Sequence, residues 1–135
     1  MTLFGKEHVD RYRETEGAEG YDWRGTSILL LDTVGCKSGN SYTHPLIYRD
    51  YGDDYLIVAS KGGAPEPPDW FRNLEANPEV GVQIKGETFR ARARVATPQE
   101  KPAMWQHMLE VWPGYANYQT KTDREIPIVV LERIS

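Results

Sequence analysis

Two short passages of this chain each carry a lysine, a serine and two glycines: Gly35-Cys36-Lys37-Ser38-Gly39 and Ser60-Lys61-Gly62-Gly63. Glycine lets the backbone bend so that successive N–H groups face one side. Such concave runs of amides attract anions, and a neighbouring ammonium adds a point charge suited to phosphate. Neither passage is a Walker loop, because the spacing of glycines before the lysine is wrong. Each also reads as an ordinary connection with a solvated lysine, and for each that alternative stays open. Two such turns from one small sheet could converge on one ligand. In the second, Pro65, Pro67 and Pro68 stiffen the chain that follows.

A third passage, Trp112-Pro113-Gly114-Tyr115-Ala116-Asn117-Tyr118, puts three aromatic rings in seven residues at a helix-breaking point. Aromatic side chains with a polar tip make good walls for planar ligands, since they combine apolar area with a hydrogen-bonding end. For Trp112 core packing is an equal alternative. Tyr115 and Tyr118, beside a proline and a glycine, are expected to be partly exposed. Nothing composes a nucleophile and its base: Ser60 has no dedicated histidine. His8, His44 and His107 are scattered without metal-ligand spacing, so no metal is expected. Anion-holding turns and aromatic walls without a catalytic triad suit a protein that positions a cofactor and lets it carry the reaction.

The rest of the chain must hold these passages in place. At 135 residues it is expected to form one domain around one core. Its formal charge of −4 argues against generic nucleic-acid binding, which relies on a basic surface. No apolar run approaches the roughly 20 residues of a membrane span, and the N-terminus lacks the basic flank and apolar block of a signal peptide. The single cysteine, Cys36, fits a reducing compartment, so a cytoplasmic location is expected.

Residues 8–20 show little apolar periodicity, and a short exposed helix followed by a glycine-broken loop is expected there. Strands are predicted over 27–34, 42–48 and 55–59. A helix follows over 69–76, with Asp69 as its N-cap and Asn77-Pro78 as its stop. Val80, Val82 and Ile84, then Phe89, Ala91, Ala93 and Val95, alternate on either side of Lys85-Gly86, which predicts a hairpin with one wet, basic face. Thr97-Pro98-Gln99-Glu100 has the signature of a helix start, and that helix should run to about Val111. A last strand is predicted over 126–131. The order β-β-β-α-β-β-α-β argues for a mainly β, α+β fold: an antiparallel sheet curled into a small barrel with flanking helices.

Taken together, Leu29 to Gly39, Thr43-His44-Pro45-Leu46, Val58 to Pro65, Pro68 to Pro78 and Tyr115 to Glu132 closely resemble the deazaflavin-dependent nitroreductase family of actinobacteria. The resemblance implies a split β-barrel akin to flavin-mononucleotide-binding barrels, over residues 26–135, after an N-terminal arm over 1–25. It also implies that coenzyme F420, with a deazaflavin ring, a phosphodiester and an oligoglutamate tail, is bound in reduced form. Its hydride would pass to a quinone, a nitroaromatic or a conjugated enone.

Carried over by position, Lys37, Ser38 and Lys61 would grip the phosphate and tail, while Pro45, Ser60, Gly62, Gly63, Ala64 and Trp70 would shape the ring and linker cleft. Tyr115 and Tyr118, with Trp112 where relatives often have tyrosine, would face the acceptor. Ser60 would hydrogen-bond it, and Tyr115, Tyr118 or water would supply the proton. Cys36 and Tyr42 stand where the family commonly has arginine, leaving Arg24, Arg49 or Arg72 to replace those positive contacts. Two rivals stay open: a flavin mononucleotide- or haem-binding barrel, and a deazaflavin carrier without turnover. So do the oligomeric state and any loose contact of the N-terminal arm with the inner membrane face.

Overall fold

The computed structural model describes residues 5–134. Helix α1 (Gly5–Thr15) leads into a two-residue strand β1 (Asp22–Trp23), then β2 (Thr26–Val34), β3 (Ser41–Tyr51) and β4 (Asp54–Val58). A 3-10 turn (Lys61–Gly63) and α2 (Asp69–Ala76) precede the hairpin β5 (Glu79–Ile84) and β6 (Glu87–Val95), followed by α3 (Lys101–Val111), α4 (Gly114–Thr120) and β7 (Ile128–Arg133). The antiparallel order is β1-β2-β3-β4-β7-β6-β5. The sheet closes on itself because β2 also pairs with β5, with Leu30 opposite Gln83 and Asp32 opposite Gly81. Closure removes the edges that an open sheet would leave.

The strands at the seams of this barrel are apolar on both faces because both faces are covered. Leu29 and Leu31 of β2 enter the interior with Val80, Val82 and Phe89, while Ile28 and Leu30 pack outward beneath Val9 and Tyr12 of α1. In β7, Val129 and Leu131 turn inward, and Ile128 and Val130 pack with Met104 and Met108 of α3. The period of two thus divides each continuous apolar run between two cores. By contrast β6 alternates as predicted from Phe89 to Ala93, although Val95 at its end is exposed, and its wet arginines meet carboxylates: Arg90 faces Glu79, and Arg94 faces Glu100 and Glu132.

The barrel is split on one side. β3 runs for eleven residues, yet only Arg49, Asp50 and Tyr51 pair with β4. The first part of β3 therefore keeps β2 as a neighbour and has lost its other one. Pro45 lies in that stretch, where a strand tolerates a residue without an N–H.

Several expectations are corrected. The N-terminal helix is not exposed: His8, Val9 and Tyr12 are buried, and the Tyr12 hydroxyl donates to the Ile28 carbonyl (2.9 Å) and accepts from the Lys85 N–H (2.7 Å). Two apolar anchors on a charged helix give too little periodicity to announce this docking. Asp69 is the first residue of α2 and Pro68 its N-cap, with no side-chain cap. Residues 112–118, read as a helix-breaking point, instead lead into α4 over 114–120, because a proline at the helix entrance sets φ without losing an intrahelical bond. At Thr97 the reciprocal bonds form, from Thr97 N–H to Glu100 Oε1 (2.9 Å) and from Glu100 N–H to Thr97 Oγ1 (3.2 Å), but they close a turn over 98–100, and α3 itself begins at Lys101 with Glu100 as its N-cap.

Candidate active site

The split opens a cavity of about 400 Å³. Its lining includes Pro45, Leu46 and Ile47 of β3 and Val58, Ser60, Lys61 and Gly62 at the exit of β4. Pro68 and Trp70 around the start of α2, Trp112, Tyr115 and Tyr118, and Gly5, His8 and Trp23 from the N-terminal segment complete it. Its size and mainly apolar lining with a few polar groups match small-molecule sites in general.

The Ser60–Ala64 turn is wound tightly. Lys61, Gly62 and Gly63 have φ of 46°, 63° and 86°, three successive left-handed residues, and Lys61 holds this conformation against the clash of its own Cβ. The two glycines serve different ends. A Cβ on Gly62 would meet nothing within 4 Å, so this residue leaves room on the cavity side. A Cβ on Gly63 would lie 2.5 Å from the Tyr118 carbonyl oxygen, so here the missing side chain lets the end of α4 pack against the turn. Gly63 and Ala64 do not line the cavity. The Ser60 hydroxyl does, and it has no hydrogen-bond partner among the described residues.

Behind the turn stands Arg124, absent from the sequence-based candidates. Its Nε donates to the Ala64 carbonyl (2.9 Å), Nη2 to the Ser60 carbonyl (2.9 Å) and Nη1 to the Ala59 carbonyl (3.3 Å). Burial pushes the guanidinium below its ordinary pKa. The one signal that pointed to it was its place inside the Tyr115–Glu132 block.

The other lysine turn belongs to a second cavity, of about 370 Å³, lined by Gly35–Ser38, Tyr42, His44, Asp69, Arg72 and Asn73. The turn closes with bonds from Gly35 N–H to the Asn40 carbonyl (2.7 Å) and Gly39 N–H to the Gly35 carbonyl (3.0 Å). Buried Asn73 accepts from Cys36 N–H (3.1 Å) and donates to Thr33 Oγ1 (3.1 Å), tying the turn to α2 and β2. His44 Nδ1 is buried with no partner among the described residues, and burial holds this imidazole below its ordinary pKa, partly offset by the Asp69 carboxylate. Lys37 and Lys61, expected to converge on one ligand, thus line two separate cavities. Their linings share no residue but include neighbours in the chain: His44 lines one and Pro45 the other, and Asp69 of one lies between Pro68 and Trp70 of the other. Of the three arginines expected to replace lost positive contacts, Arg72 lines this second cavity. Arg24 lies over the Trp23 ring (4.7 Å), and Arg49 is committed elsewhere, to Glu110 (2.7 Å) and the His107 carbonyl (2.8 Å).

Helix α4 puts Tyr115 and Tyr118 one turn apart on one face, both lining the cleft. Tyr115 is buried, contrary to the expectation of partial exposure; Tyr118 is half-buried as expected. Burial, with a smaller contribution from Tyr118, raises the Tyr115 phenol above its ordinary pKa. Trp112 donates through Nε1 to the Tyr118 hydroxyl (3.3 Å) and leans on Trp23 with ring centroids 5.8 Å apart. Trp23 and His8 were missed because nothing in a weakly patterned arm marks it as a cavity wall. His8 Nε2 lies 2.7 Å from the Gly20 carbonyl oxygen.

A closed antiparallel barrel with one split side and a ligand-sized cleft defines the split-barrel class of folds. A solved FAD-binding protein from Mesorhizobium loti shares this fold at 15% identity and a TM-score of 0.59, over 80% of this chain and 79% of its own. A nearer solved structure, titled an F420-H2 dependent reductase, is 41% identical with a TM-score of 0.72 and covers 81% of this chain and 95% of its own. A Mycobacterium tuberculosis (strain ATCC 25618 / H37Rv) protein named F420H(2)-dependent quinone reductase is 42% identical over 130 residues, 93% of this chain and 87% of its own.

The profile of the F420H(2)-dependent quinone reductase family matches residues 4–133, and the chain belongs to that family. It is an oxidoreductase that uses coenzyme F420. The residues present fit such a group. Gly62 leaves its side of the main cavity open, and the Ser60 hydroxyl there is without a partner. The second cavity offers Lys37, Arg72 and an orphaned imidazole nitrogen to an anionic extension.

Proposed function

We propose that the main cleft holds the deazaflavin ring of F420 together with a quinone or a similarly electron-poor planar acceptor, and that the second cavity holds the anionic tail. The observation that carries this reading is the pairing of an aromatic-walled cleft with a second cavity lined by Lys37, Ser38 and Arg72. When bound and reduced, the coenzyme supplies a hydride to the acceptor, which takes one further proton to become the hydroquinone. Lys61, Pro45, Trp70 and Gly62 bound the ring side of the cleft, and Trp112, Tyr115 and Tyr118 bound the acceptor side. Stacking the acceptor at near-attack distance is a positioning task, which the rigid aromatic walls perform.

Ser60 and Tyr115 orient the acceptor by hydrogen bonding. A phenol whose pKa is raised by burial is a poor proton source at neutral pH, because general acids work best with a pKa near the operating pH. Tyr115 therefore serves as a hydrogen-bond donor, and water entering the open cleft delivers the proton. Lys61 and Lys37 attract the anionic parts despite the chain's net charge of −4, because attraction within a cleft is less screened than on an open surface. We further infer a cytoplasmic protein acting on free quinones or on quinone head groups presented at the inner membrane face. Among the described residues no helix is long and apolar enough to cross a membrane.

Titration with oxidised F420, followed by steady-state oxidation of the reduced coenzyme with menadione, tests the reading. Saturable binding, with flavin mononucleotide binding far more weakly, and turnover are expected. Tyr115→Phe should lower turnover about tenfold or more while changing the coenzyme Kd less than about twofold. Binding without turnover would leave a carrier.

A further inference from the structure

We propose that Arg124 is a positioning residue that aims the peptide N–H groups of Ser60 and Lys61 into the cleft, making the turn an oriented donor for an electron-rich oxygen or nitrogen of the bound coenzyme. The proposal rests on the reading of the cleft as the F420 site.

No peptide bond in the described chain is cis. In a trans peptide the C=O and N–H of one unit point in opposite directions. Arg124 takes the carbonyl of Ala59, whose peptide carries the Ser60 N–H, and the carbonyl of Ser60, whose peptide carries the Lys61 N–H. Both N–H groups are therefore turned away from the guanidinium, and both residues line the cavity. The third bond, to Ala64, fixes the exit of the turn just before Pro65, which has no N–H of its own.

The turn's internal bonds use the N–H groups of Gly63 (to the Ser60 carbonyl, 2.9 Å) and Ala64 (to the Lys61 carbonyl, 3.2 Å). Those of Ser60, Lys61 and Gly62 have no acceptor among the described residues. Ser60 is right-handed (φ −83°, ψ −40°) and Lys61 left-handed, the alternation that makes consecutive amides converge on one anionic or carbonyl atom. Arg124 forms no ion pair among the described residues, so its charge is not neutralised by a carboxylate and polarises these peptides from behind. A planar fork holds three carbonyls in one fixed geometry, whereas an ammonium, though it also has three donors, carries them on a compact head at the end of a flexible stem.

The test uses Arg124→Lys and Arg124→Met, with thermal unfolding measured without coenzyme and the Kd of oxidised F420 measured by fluorescence. Both variants should raise that Kd about tenfold or more in the folded protein, while the KM for menadione moves less than about twofold. Affinity within twofold of wild type in either folded variant overturns the proposal; retention by the lysine variant alone would mean that charge matters and the fork does not. A purely structural role would lower the melting temperature and leave the Kd unchanged. Should the variants fail to fold, amide exchange in the wild type decides: oxidised F420 should slow exchange at Ser60, Lys61 and Gly62, and unchanged rates there overturn it. Wild-type protein that binds no F420 would overturn the proposed function and this inference together, whereas binding without protection of those amides removes only the inference.

Discussion

The turns around Lys37 and Lys61 have nearly the same residues and opposite mechanical characters. The Lys61 turn is over-determined: three left-handed residues in a row, two internal backbone bonds, three bonds from Arg124 and the end of α4 pressed against Gly63. The Lys37 turn also has two internal backbone bonds, but its support from outside is the single Asn73 amide at Cys36, with Ser38 and Tyr42 sharing a hydroxyl contact at 3.2 Å. A reaction that depends on stacking geometry needs the first kind of support, since a small displacement of reacting atoms costs rate steeply. A flexible anionic tail needs charge more than geometry, and a loosely held lysine supplies that. The same short motif is thus made rigid or compliant by what stands behind it.

The largest break in this contrast should come from Gly63→Ala. The added Cβ meets the Tyr118 carbonyl in a backbone conformation that L-residues resist, so unfolding in urea should show a loss of about 2–4 kcal/mol. Gly62→Ala, equally left-handed but facing open space, should cost only about 1 kcal/mol of stability and instead weaken coenzyme binding. Equal destabilisation by the two would remove the distinction drawn between them.

A middle-sized effect should separate the lysines. Lys61→Ala should raise the coenzyme Kd about tenfold, and Lys37→Ala about threefold with a flatter dependence on salt, because a charge on a turn with less support from outside acts mainly through the screened field. Titrations at two ionic strengths measure both.

The smallest effect is a pH dependence in the second cavity. His44 is held below its ordinary pKa, so on acidification the unfolded chain takes up the proton first. Its stabilising contribution is complete above about pH 6.5 and is lost as the pH falls toward the depressed folded value. Wild type should therefore lose stability between pH 7.5 and 5.5 faster than His44→Gln, and parallel melting curves would show that the imidazole is not buried in its neutral form.

Much of the scaffold was legible in local pattern. Alternation gave the β5–β6 hairpin, the Thr97–Glu100 pair gave the turn that leads into the helix after it, and Asn77-Pro78 gave the end of α2. Continuous apolar runs gave β2 and the core of β7, although Ile126, buried as expected, lies before the strand begins. Less legible were α1, with two apolar anchors, and α4, whose opening Pro113-Gly114 reads as a break when its helical continuation depends on packing over β4 and β7.

For the site, residue types singled out Lys37, Ser60, Lys61, Trp112, Tyr115 and Tyr118 as candidates while leaving ordinary turns and core packing open, and the structure places all six in the linings of two cavities. Sequence could not decide that the two turns face separate cavities, that Gly63 accommodates a helix and Gly62 leaves open space, or that Arg124 stands behind three carbonyls. Those facts depend on contacts between residues some 60 positions apart, set by where β3 parts from β4 and how the barrel closes. Local pattern records which face a residue prefers; only the closed sheet determines what stands opposite it.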